Sequence, residues 1–109
     1  MALMQITVIP LGTGSASVGE FVADIQKRLE EKNVNFQMHD MGTVIEGAAG
    51  DLLSLAAWIH ELPFERGLNR VVTQIQLDDR RDKSIGIGDK TASVRARLES
   101  GWQDIESRR

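Results

Sequence analysis

Apolar and polar positions follow two periods along this chain, and the places where the period changes predict its elements. Residues 3–10 alternate: Met4, Ile6 and Val8 fall on one face, and Gln5, Thr7 and Ile9 on the other, as in a half-buried strand. The period lengthens after Ser17-Val18-Gly19-Glu20, a capping box with Ser17 as N-cap and Glu20 at N3. Val18, Phe21, Val22, Ile25 and Leu29 then form an apolar helical stripe, with Lys27, Arg28, Glu30, Glu31 and Lys32 on the wet side and Asn33 as the stop. Residues 34–40 predict a second strand, with Val34, Phe36 and Met38 on one face. Met41-Gly42 is a tight turn into a third strand at 43–47, completing a hairpin. Asp51 is the expected N-cap of a second helix that buries Leu52, Leu55, Ala56 and Ile59. Pro63 is expected to end or kink that helix one residue earlier, and Gly67 to act as a C′ residue. Residues 70–77 predict a fourth strand, with Val71, Thr73, Ile75 and Leu77 on one face. Residues 90–98 predict a short third helix whose apolar pair is Val94 and Leu98, and Ser107-Arg108-Arg109 is expected to fray.

The order is β-α-β-β-α-β, the split βαβ arrangement of ferredoxin-like folds, in the α+β class. It predicts a single domain over 1–109, with two helices on one face of an antiparallel sheet. The other face then carries Gln5, Thr7, Ile9, Val72, Gln74 and Gln76. Such a semi-polar face predicts packing against a second copy, as a homodimer or homotetramer.

Composition narrows the function. A net charge of −3 and the absence of Tyr argue against a nucleic-acid binder, which needs a basic face and stacking aromatics. The absence of Cys excludes disulfides, thiolate catalysis and Cys-ligated zinc, and fits a reducing compartment. The sequence shows neither a signal-like start nor an apolar run long enough to span a bilayer, so the cytoplasm is the expected location and no membrane partner is expected.

Charge is densest at Asp78-Asp79-Arg80-Arg81-Asp82-Lys83, directly after the fourth strand. Asp78, Asp79, Arg80 and Arg81 read either as a charged strand end or as an ion-pair network at a subunit boundary, an anion clamp or a ligand rim. Gly12-Thr13-Gly14-Ser15, between a strand and a helix, offers backbone N–H donors beside the hydroxyls of Thr13, Ser15 and Ser17. It lacks the spacing of a P-loop or a dinucleotide fingerprint, and a plain strand-to-helix turn accounts for it equally. Glu46 in Thr43-Val44-Ile45-Glu46-Gly47 must face solvent, meet a cation or line a pocket. His39 and His60 lack metal-ligand spacing, so no metal site is expected. Met38, Met41 and Trp58 are core residues or the walls of a site for a heteroaromatic ligand.

Together, Ile9-Pro10-Leu11-Gly12-Thr13-Gly14-Ser15, Thr43-Val44-Ile45-Glu46-Gly47, Ile59-His60-Glu61, Phe64-Glu65-Arg66-Gly67 and residues 70–83 resemble the small thiamine-binding family, long catalogued as a family of unknown function. The likeness runs from about residue 4 to 94. It implies a ferredoxin-like protomer, assembly through the sheets into dimers and tetramers, and binding of thiamine or its hydroxymethylpyrimidine part; the family has no established catalytic activity, and no cofactor is expected. The sequence departs from the family pattern at Pro63 and in a longer, more charged tail after Leu98. Under this resemblance the ligand site is expected between the 12–17 loop and the third strand: Gly12, Thr13, Gly14, Ser15, Ser17, Thr43 and Glu46. Glu46 would act as acceptor for the pyrimidine or counter-charge to the thiazolium. Two alternatives stand beside it, a structural or regulatory oligomeric subunit and an enzyme using Glu46 or His39 as a general base.

Overall fold

The computed structural model describes residues 1–12, 14 and 19–107, with residues 101–107 described as backbone alone. In order, the elements are β1 (Ala2–Leu11), α1 (Gly19–Glu31), β2 (Asn35–His39), β3 (Gly42–Gly47), α2 (Ala49–Glu65), β4 (Arg70–Asp79) and α3 (Asp89–Ser107). The sheet runs β2-β3-β1-β4 with every neighbouring pair antiparallel, which is the ferredoxin-like α+β topology. β1 is central because it pairs with β3 (Met4 opposite Ile45) and with β4 (Thr7 opposite Gln74).

The period-two phase holds. Ala2, Met4, Ile6 and Ile45 are buried on the helix-covered face, where they meet Ile25 and Leu29 of α1 and Leu52, Ala56, Ile59 and Leu62 of α2. Burying each of the larger side chains contributes about 1.5–3 kcal/mol. Gln5, Gln74 and Gln76 face the other way and are exposed.

Helix ends show where local chemistry governs. After α1, Asn33 takes φ +57, the left-handed conformation that an Asn tolerates and that terminates a helix. At the end of α2, Gly67 has φ +89; its N–H donates to the Phe64 carbonyl at 3.0 Å, and the Leu68 N–H to the Pro63 carbonyl at 3.4 Å. These are the two bonds of a Schellman cap.

Three expectations are corrected. α2 starts at Ala49 with Ala48 as N-cap and no side-chain cap, so Asp51 lies inside the first turn, where its charge favours the helix dipole. Pro63 lies inside α2 without ending it. A proline forfeits one backbone donor, and the Schellman cap satisfies the carbonyls that follow. α3 spans 19 residues rather than a short segment. The Ser17 cap falls outside the described residues.

Candidate functional site

The hairpin β2–β3 turns through Asp40-Met41, and the turn folds against the middle of β1. The Thr7 hydroxyl donates to the Met41 carbonyl at 2.9 Å and pins the turn there. A Cβ on Gly42 would lie 2.6 Å from Thr7 Oγ1, and the residue has φ +152, so this position requires glycine. The pinned turn, the β1 backbone and the underside of α1 enclose a cleft of about 250 Å³. Its floor is apolar: Ile6, Val8, Val22, Ile25 and Ile59. Met38 and Met41 wall it and are 58% and 80% exposed, far more than core methionines would be.

Two polar groups reach into this apolar space. Thr43 is buried, and its Oγ1 accepts a hydrogen bond from Gln26 Nε2 at 2.9 Å. Among the described residues, that bond leaves the Gln26 carbonyl oxygen, the second amide hydrogen and the Thr43 hydroxyl proton for a ligand. His39 and Asp40 close the rim at the turn. The arrangement suits a flat heterocycle with adjoining donors and acceptors.

The predicted site residues separate. Thr43 lines the cleft, but Glu46 does not. The two are three residues apart on one strand, so their side chains leave opposite faces of the sheet. Glu46 accepts from Asn35 Nδ2 on the open face. A Cβ on Gly86 would come within 3.0 Å of Glu46 Oε1, so the glycine lets the 84–88 turn lie over the carboxylate. Gly12 and Gly14 both have left-handed backbones, φ +70 and +69, and Gly12 borders a different hollow with Gly67 and Asn69. Thr13, Ser15 and Ser17 lie outside the described residues.

The charge cluster pairs largely within itself. Arg80 donates to both Asp82 oxygens, at 2.6 and 2.9 Å, and Arg81 to Asp79 at 2.9 Å. Asp78 takes the ammonium of Lys90 from the first turn of α3. The hydrogen bond from Arg80 holds the Asp82 carboxyl below its ordinary range. Among the described residues, no group of three or more His, Asp or Glu could hold a metal ion. No helix there is long and apolar enough to cross a membrane.

Gln26 and Asp40 were not singled out from the sequence. Gln26 had a readable signal: it follows Val22 by four residues and precedes Leu29 by three, a polar side chain inside the buried stripe. Asp40 had none beyond its place in a turn.

Residues 4–95 match the model of a family described as thiamine-binding protein. The chain is 45% identical over 103 residues to the UPF0045 protein YqgV of Bacillus subtilis, covering 91% of this chain and 99% of that one. It is 43% identical over 105 residues to a UPF0045 protein of Staphylococcus xylosus, covering 93% and 98%. Among solved structures, a hypothetical protein from Methanocaldococcus jannaschii superposes with a TM-score of 0.75 at 27% identity, over 85% of this chain and 94% of that one. A candidate thiamine biosynthesis/salvage protein from Thermotoga maritima superposes with a TM-score of 0.71 over 85% and 97%, and at 16% identity it supports the fold alone.

Proposed function

The chain belongs to the thiamine-binding protein family, and from that premise we propose that the cleft beneath α1 takes the aminopyrimidine ring common to thiamine and hydroxymethylpyrimidine. The Gln26–Thr43 pair carries this reading. An aminopyrimidine presents an amine donor beside a ring-nitrogen acceptor. The Gln26 carbonyl answers the first, and the Thr43 hydroxyl or the second amide hydrogen of Gln26 answers the second. Met38 and Met41 supply polarizable walls, and Asp40 at the mouth would offer a carboxylate to the thiazolium cation.

Size favours the ring over the whole vitamin. About 250 Å³ falls below the roughly 300–1,000 Å³ of drug-sized ligand sites, so the pyrimidine is enclosed and the remainder projects past Met41. None of the described lining residues is Lys or Arg, which favours the unphosphorylated compound over its diphosphate.

The reading is one of binding without turnover. His39 and Glu46, the two candidate bases, lie four residues apart along the open face, at about 13 Å. That separation leaves no acid–base pair between them, so either would have to act alone. The same reading makes the protein a homo-oligomer, with the uncharged centre of the open sheet face covered by a second copy.

Calorimetry with thiamine and with hydroxymethylpyrimidine tests the proposal. Thr43→Val is expected to lower affinity by about 2- to 12-fold, the loss of one neutral hydrogen bond. Glu46→Gln, on the other face, is expected to bind as wild type. Wild-type protein that binds neither compound would overturn the reading; full affinity in a folded Thr43→Val would remove the cleft from it.

A further inference from the structure

The chain carries a net charge of −3, yet four of its cations gather on one groove. The groove, of about 320 Å³, lies between the segment that follows β4 and one face of α3. Arg80 and Lys83 come from the segment, and Lys90 and Arg97 from the helix. Helical spacing explains the alignment: Lys90, Ser93, Val94 and Arg97 stand at i, i+3, i+4 and i+7, which is a single face. Asp89 is the one carboxylate among the described lining residues, and its Oδ2 already accepts from the Gly86 N–H at 2.8 Å. The Asp89 N–H donates in return to the Gly86 carbonyl at 3.2 Å, which ties the turn to the start of α3. Ile85 is buried and anchors the segment at the floor of the groove.

A charged face is more often solvated than occupied, and pairing accounts for two of these cations. Arg80 donates to Asp82 and Lys90 to Asp78, and neither carboxylate lines the groove. Lys83 and Arg97 make no ion pair among the described residues. They stand so although acidic residues outnumber basic ones in the chain, 16 to 13.

We propose that this groove binds a phosphate dianion, free or as the ester of a small metabolite. The planar fork of Arg97 can meet two phosphate oxygens at once, and Lys83 adds a second charge. Arg80 spends Nε and Nη2 on Asp82, which leaves Nη1 for the ligand. The hydroxyls of Ser84 and Ser93 supply neutral donors from the two walls. Ile85 and Val94 offer an apolar flank to the carbon part of an ester. The groove shares no residue with the cleft beneath α1, so the proposal is independent of the pyrimidine reading.

NMR titration of the whole protein at about pH 7.5, with chloride replaced at constant ionic strength, tests this. Inorganic phosphate is expected to shift the amides of Ser84, Ile85, Ser93 and Val94 and the Nε–H of Arg97, and to leave Gln26 and Thr43 unmoved. Phenyl phosphate is expected to bind several-fold more tightly through the apolar flank; equal affinity would assign the groove to the free ion. Arg97→Ala should weaken either compound by about tenfold or more, through loss of a charge-assisted contact. Arg97→Lys should recover only part of that, since it keeps the charge without the fork. Arg95→Ala, on the same helix but outside the groove, should bind as wild type. No shift at these amides with either compound at about 10 mM would overturn the proposal. Equal losses in Arg95→Ala and Arg97→Ala would overturn it too, because they would show diffuse attraction to α3. Circular dichroism on each variant separates loss of binding from loss of the helix.

Discussion

Met4 and Gln5 are adjacent on β1 and meet opposite surroundings. Met4 is fully buried beneath the helices, and Gln5 is exposed on the open face beside Val44 and Gln76. The helix-covered face is built from aliphatic side chains that interlock with α1 and α2. The centre of the open face mixes amides and a hydroxyl with the aliphatic Ile9, Val44 and Val72, and its charges, Arg70, Glu46 and Asp78, stand at the two ends. Amides keep their hydrogen-bonding capacity, yet they are far easier to dehydrate than Lys or Glu. The pattern is that of a surface that tolerates water but is prepared to lose it.

Substitutions can break that contrast or refine it. Ile45→Ala, under the helices, should cost about 2–5 kcal/mol in urea denaturation, because it removes methyl groups and leaves a cavity in a packed layer. A smaller loss would mean that this layer can collapse around the gap. Gly42→Ala tests the margin between the faces, where the added methyl would meet Thr7 Oγ1 at 2.6 Å. The expected cost is about 1–3 kcal/mol, partly relieved in a double variant with Thr7→Ala. Gln5→Ala should change protomer stability by less than about 0.5 kcal/mol, since the side chain is exposed. A larger effect that grows with protein concentration would show that a second copy touches it.

The mildest test is acid. The Asp82 carboxyl is depressed by Arg80, so their contact is present at neutral pH and is lost as the pH falls through that lowered value. Asp82 is fully exposed, and Asp82→Asn should leave the thermal midpoint unchanged. An NMR titration that places Asp82 at the ordinary carboxylate value would remove the ion pair in solution.

Sequence resolved the faces better than the site. Strict alternation in β1 and β4 gave each residue its side, because a one-residue slip would have reversed every position. Asn33 and Gly67 marked two helix ends, since each stands where a left-handed backbone is needed. Pro63 misled because it forfeits only one backbone bond close to the end of the helix, while the Schellman cap closes the helix beyond it. The length of α3 had no apolar packing signal to set it, since Val94 and Leu98 remain exposed. The expected site joined Thr43 to Glu46, although their spacing of three already places them on opposite faces of a strand. The cleft itself needed tertiary information: Gln26 and Thr43 are seventeen residues apart and meet only when α1 folds over the hairpin.

The central position of β1 also has a temporal consequence. It is made before the other strands, yet its partners in β4 stand far along the chain, with Thr7 opposite Gln74. The hairpin β2–β3 can close as soon as it emerges, because His39 and Gly42 are nearly adjacent. β3 can close one edge of β1 once the hairpin is made, but the other edge must stay open until β4 is made. Such long-range closure slows folding, and a waiting strand is prone to pair with another nascent chain. Truncations ending before β4 are therefore expected to aggregate during synthesis, whereas those ending after Asp79 are expected to be released folded.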